Sequence, residues 1–241
     1  MDDNLLTIGQ TAKILGVSID TLRRWDKNGK FSSVRVHPGG NRYYRKSDVD
    51  LFIKDPFAMA KKWAASASVY EPEPKYYCKT RDVFQARLEH FQSELSGAAD
   101  DAFFSLVSAI AGEIGNNSFD HNLGNWPDIV GIYFSYSLAQ KKIVLADRGL
   151  GILFTLRKVK PDLKSHQEAL EVAFTQTISG RAPESRGNGL KFVRDVVINN
   201  PINLTFQTGN AFLDLGQDKK YLKIATKDDS IRGCLAVINF R

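Results

Sequence analysis

The stretch Phe103-Phe-Ser-Leu-Val-Ser-Ala-Ile-Ala-Gly-Glu-Ile-Gly-Asn-Asn-Ser-Phe-Asp-His121 decides how the rest of the chain is read. Wound as a helix at about 100° per residue, it lines up Phe103, Leu106, Val107, Ile110 and Ile114 as one apolar stripe. Glu113, Asn117 and His121 follow one another at i, i+4 and i+8 along the edge of that stripe. A carboxylate, an amide and an imidazole turned toward a core are costly unless something satisfies them. Neighbouring helices, water or a bound ligand can each do so.

Downstream, two strand-like runs, Ile129 to Tyr136 and Lys142 to Ala146, lead into Asp147-Arg-Gly-Leu-Gly151. Helical patterns follow at Gly151–Lys158 and His166–Thr177. A loop, Ser179 to Gly189, then runs straight into a helix from Leu190 to Val197. The tail predicts strands at Ile202–Thr208, Ala211–Leu215, Tyr221–Ala225 and Cys234–Phe240. Upstream, Val83, Phe84, Leu88, Phe91 and Leu95 repeat at helical spacing, with Gly97 as the stop. Helices kept apart from a mostly antiparallel sheet predict an α+β class, here a two-layer α/β sandwich over residues 80–241.

Three features of this region suit a phosphate-bearing ligand. Gly187 and Gly189 at a helix start let backbone N–H groups approach an anion where the helix dipole favours it. Arg186 and Lys191 add charge, and Asn188 and Leu190 complete the turn. Asp147, before Gly149 and Gly151, can accept a hydrogen bond from an amino group in a pocket without room for side chains. Asn117 offers an oxygen suited to Mg²⁺, an ion that takes few protein ligands beside phosphates and waters. Glu113, one turn away, can orient or deprotonate water.

In this order, Glu113-x-x-x-Asn117-x-x-x-His121, Asp147-x-Gly149-x-Gly151 and Gly187-x-Gly189-Leu190 resemble the three boxes of the GHKL (Bergerat-fold) ATPases of gyrase, histidine kinases and the heat-shock chaperone. The resemblance implies that Asp147 reads adenine, Asn117 holds Mg²⁺ and Glu113 activates the attacking water or hydroxyl. It also implies that Gly187 and Gly189 cradle phosphates, that Thr177 to Arg186 is the ATP lid, and that His121 and Arg181 are candidate ligand contacts. Two departures stand out. Gly233-Cys234 occupies a place where the family often has Gly-Thr, and no phospho-acceptor helix is present. His90, in Leu88-Glu-His-Phe, lacks the context of such a helix.

At the front, Thr7 is expected to cap a helix within Leu6 to Leu15, and Gly16 to end it. Ser18 then begins a second helix through Arg24 and Trp25. Val34 to Val36 and Asn41 to Arg45 flank a Pro38-Gly39-Gly40 turn, and Ser47 opens a closing helix, Asp48 to Ile53. This series resembles the MerR-type and excisionase-like winged helix-turn-helix over residues 5–54, and implies such a domain at residues 1–54. It implies double-stranded DNA as partner, with Arg23, Arg24, Arg42 and Arg45 as contacts and Lys27 and Tyr43 behind them. Asp20 and Asp26 dilute the charge of the second helix. Residues 55–79 read as a linker: one alanine-rich helix, Pro56 to Ala67, and the stiff Glu71-Pro-Glu-Pro74.

Composition sets the frame for these motifs. The 241 residues are 43% hydrophobic and 25% charged, enough to bury a core. The net charge of +6 fits a polyanionic partner. Cys78 and Cys234 form no paired motif, which fits a reducing compartment. The acidic start Met1-Asp-Asp-Asn lacks a signal-peptide pattern, and the apolar run Ala102–Ala111 is about half the roughly 20 residues of a membrane span. A cytoplasmic protein without a membrane partner is expected.

The combined expectation is a homodimeric DNA-binding regulator, switched by ATP binding and slow Mg²⁺-dependent hydrolysis. The alternatives are a serine/threonine kinase like the anti-sigma-factor kinases, acting on a partner protein encoded nearby, and a nucleotide sensor without turnover.

Overall fold

Thr7 and Gln10 start the first helix reciprocally. The Thr7 Oγ1 accepts from the Gln10 N–H at 3.2 Å, and the Gln10 Oε1 accepts from the Thr7 N–H at 2.8 Å. The residues before this capping box are extended, so Leu5–Thr7 is a strand, β1, and the helix α1 is Ile8–Leu15. The helix expected from Leu6 therefore starts two residues later, at Ile8. In the computed structural model the described residues are 5–15, 17–29, 31–35, 37, 39–53, 55–95, 100–177, 189–217 and 222–241, the side chains of 51 and 53 aside.

The chain divides into two compact units, Met1–Met59 and Ala60–Arg241. In the first, Ser18 caps α2 (Ile19–Lys27) by accepting from the Thr21 N–H. Two further strands, β2 (Val34–Arg35) and β3 (Arg42–Arg45), lead to α3 (Lys46–Ile53). The strands form an antiparallel sheet in the order β1-β3-β2, with Leu6 opposite Tyr44 and Val34 opposite Tyr43. Leu22, Phe31, Tyr44 and Val49 make the core, and the Phe31 and Tyr44 rings stack 5.1 Å apart.

Asp55 caps α4 (Pro56–Ala65), its carboxylate accepting from the Phe57 N–H at 2.9 Å, with Pro56 at the position where a missing N–H costs nothing. Beyond it, Tyr77–Cys78 is a short strand, β4, inside the segment expected to be linker. The second unit continues with α5 (Arg81–Leu95), α6 (Asp101–Asn122), β5 (Ile132–Ser137), β6 (Lys142–Asp147), α7 (Gly151–Arg157), α8 (His166–Thr175), α9 (Gly189–Asn199), β7 (Ile202–Gly216) and β8 (Ile224–Phe240). The five strands run β4-β5-β6-β8-β7, every neighbouring pair antiparallel. The class is therefore α+β.

The stripe expected on α6 is turned inward: Phe103, Val107, Ile110 and Ile114 are buried and Leu106 packs on the same core. Its glycines set the distance to α5. A methyl carbon at Gly115 would lie 2.2 Å from the Phe84 ring, so α5 rests on bare backbone there. The tail differs from the expected set of short strands. Thr208–Gly209 is a bulge, Gly209 at φ +53°, and β7 continues through it. β8 likewise carries its polar stretch Lys227–Ser230 as one strand.

Candidate functional site

Helix α6 meets two other elements through polar side chains on successive turns. On one turn, the Asn117 Nδ2 donates to the Glu113 Oε1 at 3.1 Å. That same oxygen would lie 1.7 Å from a methyl carbon placed on Gly189, the first residue of α9. Glu113, held by Asn117, thus stands against the start of α9, and a side chain at Gly189 would have to displace its carboxylate. Leu190 is half-buried on the main core, and the Lys191 Nζ lies 3.1 Å from the Thr177 Oγ1. His121 is partly buried one turn beyond Asn117. Arg181, Arg186, Gly187 and Asn188, with most of the expected lid, lie outside the described residues.

On the next turn, the Ser118 hydroxyl donates to the Asp147 Oδ2 at 2.8 Å. Asp147 ends β6 and is 2% exposed. Its Oδ1 accepts from the Gly149 N–H at 2.8 Å. Burial pushes this carboxyl up to about 6, against the pull of Ser118, Gly149 and Cys234. An ionised carboxylate has about four acceptor positions, so the Ser118 and Gly149 donors leave about two.

Asn122 fixes the turn that follows. Its Oδ1 accepts from the Leu150 N–H at 2.8 Å and its Nδ2 donates to the Ser118 carbonyl at 2.7 Å. A side chain at Gly149 would collide with it, the added carbon falling 2.1 Å from the Asn122 Nδ2. Gly151, at φ +74°, turns the chain into α7. Thr208 closes the floor, donating to the Gly233 carbonyl at 2.9 Å and accepting from the Ile152 N–H at 3.2 Å. Gly233 itself lies against Asp147: a methyl carbon there would be 2.2 Å from the Asp147 Oδ1. Ser118, Asn122 and Thr208 were not singled out from sequence. The i, i+4 spacing of Ser118 and Asn122, one residue out of step with Glu113 and Asn117, was the available signal for two of them.

Arg148, between Asp147 and Gly149, is fully buried. Its Nη2 and Nε reach the Asp128 Oδ2 at 2.6 and 3.1 Å, and the Arg232 Nη1 reaches the same oxygen at 2.8 Å. Burial alone would raise the Asp128 carboxyl, but Arg148, the Ile129 N–H and Arg232 hold it below the usual carboxylate range. Among the described residues no group of three or more His, Cys, Asp or Glu could hold a metal ion.

In the first unit, Arg23, Arg24 and Lys27 are exposed on α2, and Arg45 is exposed on β3. Arg23 pairs with Asp20 at 2.9 Å. Asp26 does more than dilute charge. Its Oδ2 accepts from the Arg42 Nε at 2.7 Å and lies 3.4 Å from the Arg35 Nη2, while its Oδ1 accepts from the Ser33 N–H at 2.8 Å. Burial alone would raise this carboxyl, yet these donors hold it well below the usual range. Arg42 is thereby held at the turn end of the β2–β3 hairpin, opposite Arg35, with Tyr43 half-buried beside it.

Residues 7–44 match the model of the MerR family regulatory proteins. A 57-residue stretch is 39% identical to the type II methyltransferase M.Eco47II of Escherichia coli, covering 24% of this chain and 14% of that protein. Over residues 7–44 the front of the chain is a MerR-like helix-turn-helix domain. No described helix is long and apolar enough to cross a membrane.

Proposed function

We propose that the chain is a DNA-binding regulator whose winged helix-turn-helix, residues 1–54, is switched by a GHKL-type nucleotide-binding domain of the Bergerat fold, residues 80–241. What supports this most is Asp147, a buried carboxylate with donors from Ser118 and Gly149 in place and acceptor positions left over, at the end of a central strand. A purine amino group is a donor of the kind those positions take. Glu113, against the bare Cα of Gly189 and bonded to Asn117, supports a phosphate position at the start of α9.

The donor set suits ATP with Mg²⁺. Asn117 would give the ion its protein oxygen, and Gly189, Leu190 and Lys191, with Arg186, Gly187 and Asn188, would hold the phosphates. When bound, ATP supplies a transferable γ-phosphoryl group and Mg²⁺ offsets its charge. Glu113, oriented by the Asn117 amide, takes the proton from the attacking water. Arg23, Arg24, Arg42 and Arg45, with Lys27 and Tyr43, face the DNA backbone and groove. His121 and Arg181 are further ligand contacts.

Glu113→Gln tests the assignment. The variant should bind ATP as tightly as the parent while phosphate release falls at least about a hundredfold, the usual loss for a general base. Equal turnover would remove Glu113 from that role. Phosphate appearing on a second protein rather than in solution would favour the kinase reading, with a partner hydroxyl in place of water.

A further inference from the structure

The guanidinium of Arg148 closes off a helix as well as an ion pair. Its Nη1 donates to the Trp63 carbonyl at 2.6 Å and to the Ser66 carbonyl at 2.7 Å. These belong to the last turn of α4 and the residue just past it, where carbonyls lack full i+4 partners and the Trp63 carbonyl has only the Ser66 N–H at 3.2 Å. Together with the two bonds to Asp128, four of the five guanidinium N–H groups are used. The Arg148 head also lies 5.9 Å from the Trp63 ring, itself buried. Trp63 is fixed in turn by its Nε1–H, which donates to the Tyr70 carbonyl at 3.0 Å. A second tie, Lys61 to Asp229 at 2.8 Å, holds the same end of α4 to β8.

The neighbours of Arg148 in the chain are Asp147 and Gly149, which bond to each other through the Asp147 carboxylate. A shift of that turn therefore shifts Arg148, and a buried charge cannot leave its acceptors without cost. Helix α4 begins at Pro56, within the first unit, and ends at Ala65, within the second. We propose that Arg148 is the positioning residue that couples nucleotide occupancy at Asp147 to α4, the segment by which the chain passes from the DNA-reading unit to the nucleotide-binding unit. This rests on the nucleotide reading above. Occupied and empty states of the Asp147 turn would hold the end of α4 differently, and DNA affinity would follow by linkage.

The test uses the full chain, MgATP, and a labelled duplex obtained by selection from a random-sequence pool. In the parent, saturating MgATP should change the Kd for the duplex by at least about fivefold. In Arg148→Lys, which keeps the charge but loses the fork, that ratio should fall to within about twofold of one while the ATP affinity stays within about threefold of the parent's. Asp128→Asn should weaken the coupling in the same direction. Amide exchange on the unaltered protein gives a readout that needs no variant: MgATP should change protection across residues 61–70. Variants that bind ATP and keep the parent's ratio, or a 61–70 segment indifferent to MgATP, would overturn the coupling and leave the nucleotide site standing. A parent that takes up no ATP would overturn both.

Discussion

Asp147 carries a cost in the folded chain that a purely structural residue would not need. The group titrates near 3.8 without the fold and near 6 within it. Between those values the folded state holds the extra proton, so this group makes stability fall as pH rises from about 4 to about 6, and the loss persists above that range. Asp147→Asn removes the charge. At pH 7 the ligand-free variant is expected to melt higher than the parent, by up to something on the order of 3 kcal/mol. Below about pH 4 the advantage should vanish, and ATP affinity should fall by about tenfold or more. Melting curves of both proteins from pH 4 to 8 check the first part; an identical pH slope in the two would contradict it. Stability given up at a binding residue is a common signature of function.

Helix α6 is where the chain's elements meet, and its small residues are as specific as its polar ones. Gly115→Ala would drive a methyl into the Phe84 ring, 2.2 Å away and fully buried, and should cost about 1–3 kcal/mol. Gly112→Ala meets only the Leu88 Cδ2 at 3.1 Å, and gains helix propensity of up to about 1 kcal/mol, so its net effect should be small. Urea unfolding of the two variants separates them; equal effects would mean that α5 and α6 are not in such close contact.

The same helix shows how far sequence reading reaches. Its apolar stripe was legible because helical periodicity is local, and so were the Glu113–Asn117 pair and Asp147 at a strand end. Elements set by distant partners were not. Strand β1 exists because Leu6 pairs with Tyr44, and β4 because Tyr77 pairs with Tyr133. The Gly209 bulge resembles a turn until β8 is seen beside it. Arg148 was passed over for the same reason, since its two carbonyl acceptors lie 85 and 82 positions away in the chain.

At the scale of the whole molecule, the net charge of +6 is an argument about partners and not about fold. Binding to DNA through exposed arginines should weaken steeply with salt. Arg24→Ala, on the exposed face of α2, should lower the slope of log affinity against log salt by about one for a single phosphate contact. Asp26→Ala should also weaken binding although it removes a negative charge, because Arg42 loses its anchor. A gain in affinity from Asp26→Ala would mean that its charge, rather than its hold on the hairpin, is what matters.

One unit is proposed to read DNA and the other to hold a nucleotide, and the second proposal bears the weight of the switch. Calorimetric titration of MgATP into the full chain at pH 7.5 tests it most directly. A saturable heat that disappears in Asp147→Asn, while that variant remains folded, is the result expected. No heat at millimolar nucleotide, or the same heat in the variant, would contradict it.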